Sequence, residues 1–352
     1  SGFVYGRNPV ENRFGVDMKK VVFRVDSSTQ IGSGHLMRCL TLAAQMKKQH
    51  GTEIHFICRD LEGNLTSLVE QSRYILHVLP RATLEVGLTG YAAWLTVPWQ
   101  RDAEETRALL LSAGQADVLV VDSYSLDIAW EKELRPLTTR IFVIDDLANR
   151  CHDCDILLDQ NFYLHQERRY QGLVPETCEL RLGPKYALLR EEFYEMKKTP
   201  RLRDGSIRNI LVFYGGSDLT NETMKALRSL AALSSCSMTV NVVVGGSNPH
   251  RAEIQDFCRQ QRNFSCFYQV NHIAALMNEA DLSLGGGGTT TWERHFLGLP
   301  SIVTAIAENQ VKVCEDCAQA GMIEYLGEAA NVSEHTITAA VRRRLNTSAA
   351  LP

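Results

Sequence analysis

The sequence predicts an α/β protein of two Rossmann-like domains, each built on a parallel sheet. Three observations lead there. The chain has 352 residues, more than one typical hydrophobic core holds. Short apolar runs without polar alternation are separated by helical patterns, which is the signature of parallel strands covered on both faces. The pattern stops at Lys197–Arg208, KKTPRLRDGSIR, a charged stretch with Pro and Gly, and then restarts. The expected organisation is therefore a domain over 18–196, a linker over 197–208 and a second domain over 209–352. Residues 1–17 are expected to be an added leader and are left out of the fold.

In the first half, strands are expected at Lys19–Val25, Glu53–Cys58, Ile75–Leu79, Asp117–Val121, Arg140–Ile144 and Ile156–Leu158. Helices are expected at His35–Gln49, Leu65–Glu70, Ala103–Ser112 and Asp127–Leu134. The first of these places Leu36, Cys39, Leu40, Ala43, Ala44 and Met46 at roughly the 3.6-residue period. In the second half, strands are expected at Asn209–Phe213, Met238–Val244, Phe264–Tyr268, Asp281–Leu284 and Ser301–Ile306. Its helices are Asn221–Ala232, Arg251–Gln260, Ile273–Asn278, Thr290–Leu297, Val311–Ala320 and Ser333–Leu345. Several strands end in polar or glycine-rich residues, where open parallel sheets place ligands, and these ends are expected to face a central cleft.

Composition narrows the function classes. Hydrophobic residues make up 45 % and charged residues 22 %, with a net charge of −4, so no basic field favours nucleic acid. No apolar run is long enough for a membrane span. The first residues lack the apolar core of a signal peptide, so a cytoplasmic location is expected, with the ten cysteines as thiols.

Two stretches carry chemistry. In Phe23–Ala43, FRVDSSTQIGSGHLMRCLTLA, a strand runs through a polar turn into a helix. Gly32 and Gly34 let the loop turn tightly, and Asp26 and Ser28 flank it. His35 at that junction reads as a general base, its tautomer fixed by Asp26 or a backbone group, or as a histidine that only hydrogen-bonds. In Gly285–Glu293, GGGGTTTWE, the glycines allow close backbone approach and Thr289 and Thr290 add hydroxyls, which suits a diphosphate at Gly286, Gly287 and Gly288. No P-loop lysine follows, and a G-x-G-x-x-G in a βαβ unit is absent. Glu293 fits a capping box, or it accepts hydrogen bonds from a ribose diol. Gly215 and Gly216 follow a strand in the same way. Tyr124, Asn309 and Gln310 also follow strands, and each alone reads as a loop residue. Cys151/Cys154 and Cys314/Cys317 are C-x-x-C pairs about 160 residues apart, the second in a helix, so buried thiols are a better reading than zinc.

Together DSSTQIGSGH, VVDSY, YALLREEFY, GGSD and GGGGTTTWE…ENQ resemble, in order and spacing, the UDP-2,4-diacetamido-2,4,6-trideoxy-β-L-altropyranose hydrolases of the pseudaminic acid pathway. The resemblance runs from about Lys19 to about Gly327. It implies the GT-B fold, similar to that of the muropeptide N-acetylglucosaminyltransferase. It implies water attack at the anomeric carbon with inversion and departure of UDP. It implies His35 as base, Glu293 on the uridine ribose, Tyr124 lining the sugar pocket, and Asn309 and Gln310 holding the donor sugar. The chain departs from the family where it has four glycines in place of an S-x-S-S run, and Trp292 in place of Asn. The expected partner is a small-molecule UDP-sugar, with no cofactor, no metal and a monomeric state. The alternative is a GT-B glycosyltransferase using a UDP-amino sugar donor, although no basic amphipathic helix is seen in the first half.

Overall fold

The computed structural model describes residues 18–199, 201–233 and 238–349. The expected leader over 1–17 lies outside the described residues. The chain divides into two compact units between Leu188 and Leu189.

The first unit holds strands β1 (Lys20–Val25), β2 (Glu53–Arg59), β3 (Ile75–Leu79), β4 (Ala116–Asp122), β5 (Thr138–Ile144), β6 (Ile156–Asp159) and β7 (Glu179–Leu182). They form one parallel sheet in the order β3-β2-β1-β4-β5-β6-β7. Its helices are α1 (Gly34–His50), α2 (Ser67–Gln71), α3 (Trp99–Ala113) and α4 (Ile128–Leu134). Alternate residues of β1 go to opposite faces. Val21, Phe23 and Val25 join Leu36 and Leu42 of α1, whereas Val22 joins Leu110 of α3 and Trp130 of α4. Two apolar faces explain the unalternating run in the sequence.

One residue of β1 breaks that run. The Arg24 guanidinium is fully buried and donates to both carboxylate oxygens of Asp102 on α3, at 3.1 and 2.6 Å. Asp102 also accepts from Arg59 Nη2 and from Trp130 Nε1. Burial alone would raise the Asp102 pKa, but Arg24 and Arg59 hold it below the usual carboxylate range. The buried charges are thus paired and hydrogen-bonded, the condition under which burial is tolerated.

The second unit begins with α5 (Glu191–Lys197) and adds β8 (Asn209–Phe213), β9 (Thr239–Val244), β10 (Phe264–Tyr268), β11 (Leu282–Gly286), β12 (Ser301–Ala305) and β13 (Glu324–Glu328). The strands form a parallel sheet ordered β10-β9-β8-β11-β12-β13. The remaining helices are α6 (Glu222–Ala231), α7 (Arg251–Arg259), α8 (Ile273–Glu279), α9 (Thr290–Phe296), α10 (Glu308–Gln319) and α11 (Glu334–Ala349). Ile210 and Val212 of β8 pack with Leu227 and Leu230 of α6 and with Ile337 and Val341 of α11.

The division falls upstream of the linker expected at 197–208, and the described part of that stretch is tied to the second unit. Arg203 donates to the carbonyls of Met277, Asn278, Ala280, Leu297 and Gly298, and Arg201 Nη2 reaches Asp281 at 2.6 Å. The basic residues that read as a solvated linker instead satisfy the last carbonyls of α8 and α9. Among the described residues no helix is long and apolar enough to cross a membrane.

Candidate active site

In the first unit the candidate site is built at the C-terminal ends of β1, β4 and β5. Beyond β1 the chain makes a tight turn in which Gly32 N–H donates to the Ser28 carbonyl at 2.8 Å and Ile31 N–H to Ser28 Oγ at 2.9 Å. Gly32 has φ +79°, a conformation that favours glycine. A Cβ at Gly32 or Gly34 would meet nothing within 4 Å, so both glycines border open space. Ser28 thus shapes the loop through its own hydroxyl.

His35 is the second residue of α1 and is 9 % exposed. Its Nδ1 lies 2.7 Å from Asp122 Oδ1, at the end of β4. Asp122 also takes Arg38 Nε on Oδ2 at 2.6 Å and Arg38 Nη2 on Oδ1 at 2.7 Å. Burial would raise the Asp122 pKa, but Arg38 and then His35 hold it well below the usual carboxylate range. An ionised carboxylate only accepts, so Nδ1 carries the proton and Nε2 of the neutral ring is the basic nitrogen.

This corrects the expectation for Asp26. Its carboxylate is buried, accepts from Arg59 N–H at 2.7 Å and pairs with Arg24 at 2.7 Å. Asp26 ties β1 to β2 and does not orient His35. The orienting carboxylate is 87 residues away in the chain.

Tyr124 lies edge-on to His35, with ring centroids 4.5 Å apart. Its hydroxyl donates to Asp146 Oδ2 at 2.5 Å. Burial and Asp146 push its pKa far above the usual tyrosine value, so it stays a neutral donor. Tyr124 therefore offers its ring to the surroundings of His35. Asp146 is in turn held by Arg38 and by Asn161 Nδ2 at 2.7 Å. One guanidinium, Arg38, thus bridges the carboxylate behind His35 and the carboxylate behind Tyr124.

An aromatic wall, unmarked by the sequence reading, completes the group. A 3₁₀ turn at Gly90–Leu95 carries Tyr91 and Trp94. Trp94 stacks on Tyr124 at 5.6 Å and meets His35 edge-on at 6.3 Å, and Tyr91 meets both Trp94 and Tyr124. Asp146 and Asp122 are among the polar strand-end residues expected where open parallel sheets place ligands, whereas Arg38 is a site residue the sequence does not single out. Arg38 had a signal, since it follows His35 by three residues on one helix face. Trp94 had none, because 80–98 shows no periodicity.

In the second unit the four glycines prove to be of different kinds. Gly285 and Gly286 belong to β11. A Cβ at Gly285 would lie 2.5 Å from both the Phe213 carbonyl and Arg294 Nη1, and one at Gly287 would lie 2.3 Å from Cys314 Sγ. Those two positions are glycine because the packing leaves no room. At Gly286 the nearest atom is the end of the Ile306 side chain, at 3.2 Å, and at Gly288 it is Gln310 Nε2, at 3.5 Å. Gln310 Oε1 accepts from Gly287 N–H at 3.2 Å and Ile306 N–H at 3.0 Å. Gln310 thus fixes the glycine loop, and that oxygen is committed to the protein. Asn309 beside it is half-buried at the start of α10.

Thr289 is exposed, and Thr290 Oγ1 accepts from Arg294 Nη1 at 3.3 Å. Arg294 is buried, and it also holds the Gly286 carbonyl at 2.8 Å and Thr291 Oγ1 at 3.2 Å. Burial lowers its pKa to about 10. Because arginine only donates, the Thr290 hydroxyl that accepts from it keeps its own proton for another acceptor. Gly215, at φ +90°, and Gly216 follow β8, and the Gly216 carbonyl accepts from Ser247 N–H at 3.1 Å. A Cβ at Gly245 would lie 2.3 Å from that carbonyl oxygen, so this loop is packed against the next one.

Glu293 makes no capping bond at the start of α9. Its Oε1 accepts from Arg190 Nη2 at 3.2 Å, and its Oε2 is buried without a hydrogen-bond partner. Burial raises its pKa, opposed by Arg190. Of the C-x-x-C cysteines, three are buried thiols as expected, and Cys151 is not. Cys154 lies 3.6 Å, sulfur to sulfur, from Cys178, while Cys151 is exposed. Cys314 and Cys317 are buried in α10.

Comparison with known proteins agrees with this architecture. Residues 209–349 match the glycosyltransferase family 28 C-terminal domain. The structure is similar to Phytolacca americana UGT2 (TM-score 0.65, 13 % identity, 94 % of this chain and 92 % of that one). It is also similar to Acinetobacter baumannii MurG (TM-score 0.59, 12 % identity, 94 % and 93 %). The chain therefore has the GT-B fold. Over 263 residues it is 31 % identical to the UDP-2,4-diacetamido-2,4,6-trideoxy-β-L-altropyranose hydrolase of Campylobacter jejuni, covering 74 % of this chain and 82 % of that one. The chain belongs to the family of that hydrolase.

Proposed function

We propose that the protein hydrolyses UDP-2,4-diacetamido-2,4,6-trideoxy-β-L-altrose, with water attacking the anomeric carbon. The observation that carries this reading is the His35–Asp122 pair. An ionised, buried carboxylate holds the imidazole as the Nδ1–H tautomer, which leaves Nε2 basic. Nε2 takes the proton of the water as its oxygen bonds to C1, and the C1–O bond to the diphosphate breaks with inversion. UDP leaves as a stabilised anion, so what the chain must supply is donors for the diphosphate. Gly288 backbone and the Thr289 and Thr290 hydroxyls are the groups for that role, with the buried Arg294 charge behind them. Glu293 Oε2, buried and unpartnered, accepts from the uridine ribose. Trp94 and Tyr91 supply an apolar surface suited to the 6-methyl and N-acetyl methyl groups of a trideoxy diacetamido sugar.

Turnover of the UDP-diacetamido-trideoxyaltrose in ¹⁸O-labelled water, followed by NMR, tests the reading. Free sugar carrying the label at C1 and first appearing as the inverted anomer is expected. Label in UDP refutes attack at C1. UDP release that depends on an added sugar or lipid acceptor replaces hydrolysis with glycosyl transfer.

A further inference from the structure

The YALLREEFY segment contributes Arg190 to the second unit, at the residue that precedes α5. Three contacts fix this side chain. Nη1 pairs with Glu192 Oε1 at 2.9 Å, the guanidinium carbon lies 5.3 Å from the centroid of the fully buried Phe193 ring, and Nη2 donates to Glu293 Oε1 at 3.2 Å. Glu192 is itself anchored, because its other oxygen accepts from Ala274 N–H at the start of α8, at 3.2 Å. Arg190 is thus held on one side by Glu192 and Phe193 and aimed on the other at a single oxygen of Glu293. The second oxygen, Oε2, has no protein partner and is buried.

A buried carboxylate with one unmet oxygen is costly unless a charge compensates it and a ligand completes it. We propose that Arg190 is a positioning residue for the nucleoside site: held by Glu192 and Phe193, it pins Glu293 Oε1 so that Oε2 is left to accept a ribose hydroxyl. This rests on the ribose reading of Glu293. The charged groups that act on Glu293 are few. Burial and the nearby Glu192 favour its protonated form, and Arg190 and Arg294 oppose them. Arg190 is the cation in direct contact, at 3.2 Å.

The sign of the effect follows. Removing Arg190 moves the protonation of Glu293 to higher pH, so UDP binding is lost earlier as pH falls. The test is UDP affinity by calorimetry on the full chain between about pH 5 and about pH 8, for the native protein, R190Q, R190K and E293Q. For R190Q we expect the acid loss of affinity to move up by about one pH unit or more, with affinity roughly tenfold weaker than native at the acid end and recovering toward pH 8. R190K, which keeps the charge, is expected to stay near the native profile. E293Q is expected to bind weakly at every pH with a flat profile. A folded R190Q whose profile superimposes on the native one, or which is weakened equally at all pH values, overturns the role of Arg190 and leaves the ribose reading intact. E293Q binding UDP as tightly as the native chain overturns the ribose reading itself, and the role of Arg190 with it.

Discussion

Asp122 Oδ1 sits 2.7 Å from His35 Nδ1, and the same carboxylate takes two hydrogen bonds from Arg38. In the proposed role of base, His35 depends on this partner more for tautomer and orientation than for charge. Asp122→Asn keeps the shape but presents an amide to Nδ1, which favours the wrong tautomer. Turnover is expected to fall by roughly 10³–10⁴, the scale seen when a histidine loses its orienting carboxylate. UDP affinity is expected to hold, since Asp122 is in the first unit and the nucleotide is assigned to the second. Separate measurement of kcat and of UDP binding checks this. A fall of less than tenfold in kcat removes Asp122 from the mechanism.

The carboxylates behind the site titrate in opposite senses. Asp122 and Asp146 are held below their ordinary range, against burial, chiefly by Arg38. Their contribution to stability is present above the unfolded value near 4 and is lost as pH falls through the folded values below it. Asp159 goes the other way. Burial, reinforced by Asp146, pushes it up to about 7. Its contribution is complete below about 4 and disappears as pH rises toward 7. Asp159→Asn keeps the oxygen that accepts from Asn161 and removes the charge. It is expected to stabilise the chain at about pH 8 by roughly 1–3 kcal/mol and to have little effect near pH 4. Melting temperatures at the two pH values decide this, and destabilisation at pH 8 would falsify the assignment.

How far such a network was legible in the sequence depends on how local it is. The strand–turn–helix around His35 was readable because Gly32, Gly34 and the apolar positions of α1 are contiguous. Asp26 is the nearest carboxylate in the chain, so the local sequence offers it, or a backbone group, as the partner of His35. The true partner arrives through the pairing of β1 with β4, which sets Val25 beside Asp122. Strand order in a parallel sheet is a tertiary property that local pattern does not encode. The strands β7 and β13 are not legible in the sequence for a related reason. Both are at sheet edges, are only partly buried and carry charged residues, so neither shows an apolar run. Composition marks 197–208 as a linker, and composition does not reveal that Arg201 and Arg203 dock on the ends of α8 and α9.

On the proposed reading, removing Trp94 is expected to separate sugar binding from nucleotide binding. The side chain is half-exposed, stacks on Tyr124 and touches the edge of His35. It belongs to a 3₁₀ turn outside the sheet, so truncation leaves the core intact. Trp94→Ala is expected to raise KM for the UDP-sugar by roughly tenfold, the loss of one aromatic face, with UDP affinity unchanged. Trp94→Phe is expected to recover most of it. Equal losses for UDP and for the UDP-sugar would show that Trp94 does not contact the sugar.

The last prediction concerns the glycine run, where four identical residues are expected to behave differently. Gly285 faces the Phe213 carbonyl and Arg294, and Gly287 faces Cys314 Sγ, in each case at a distance no real Cβ tolerates. Gly285→Ala and Gly287→Ala are therefore expected to destabilise by about 1–3 kcal/mol through overpacking. Gly288 meets only Gln310 Nε2 at ordinary contact distance. Gly288→Ala is expected to leave stability within about 0.5 kcal/mol. If the Gly288 backbone carries diphosphate, that same variant weakens UDP more than uridine, because the added methyl stands where phosphate must approach. The Gly287 clash is with a single sulfur, so Cys314→Ala is expected to rescue Gly287→Ala in a double-mutant cycle. Gly285→Ala has no such rescue, since its obstacle includes a strand carbonyl that cannot be mutated away. Equal destabilisation by all three alanines, with no recovery in the cycle, would mean that the run is glycine for backbone conformation and not for space.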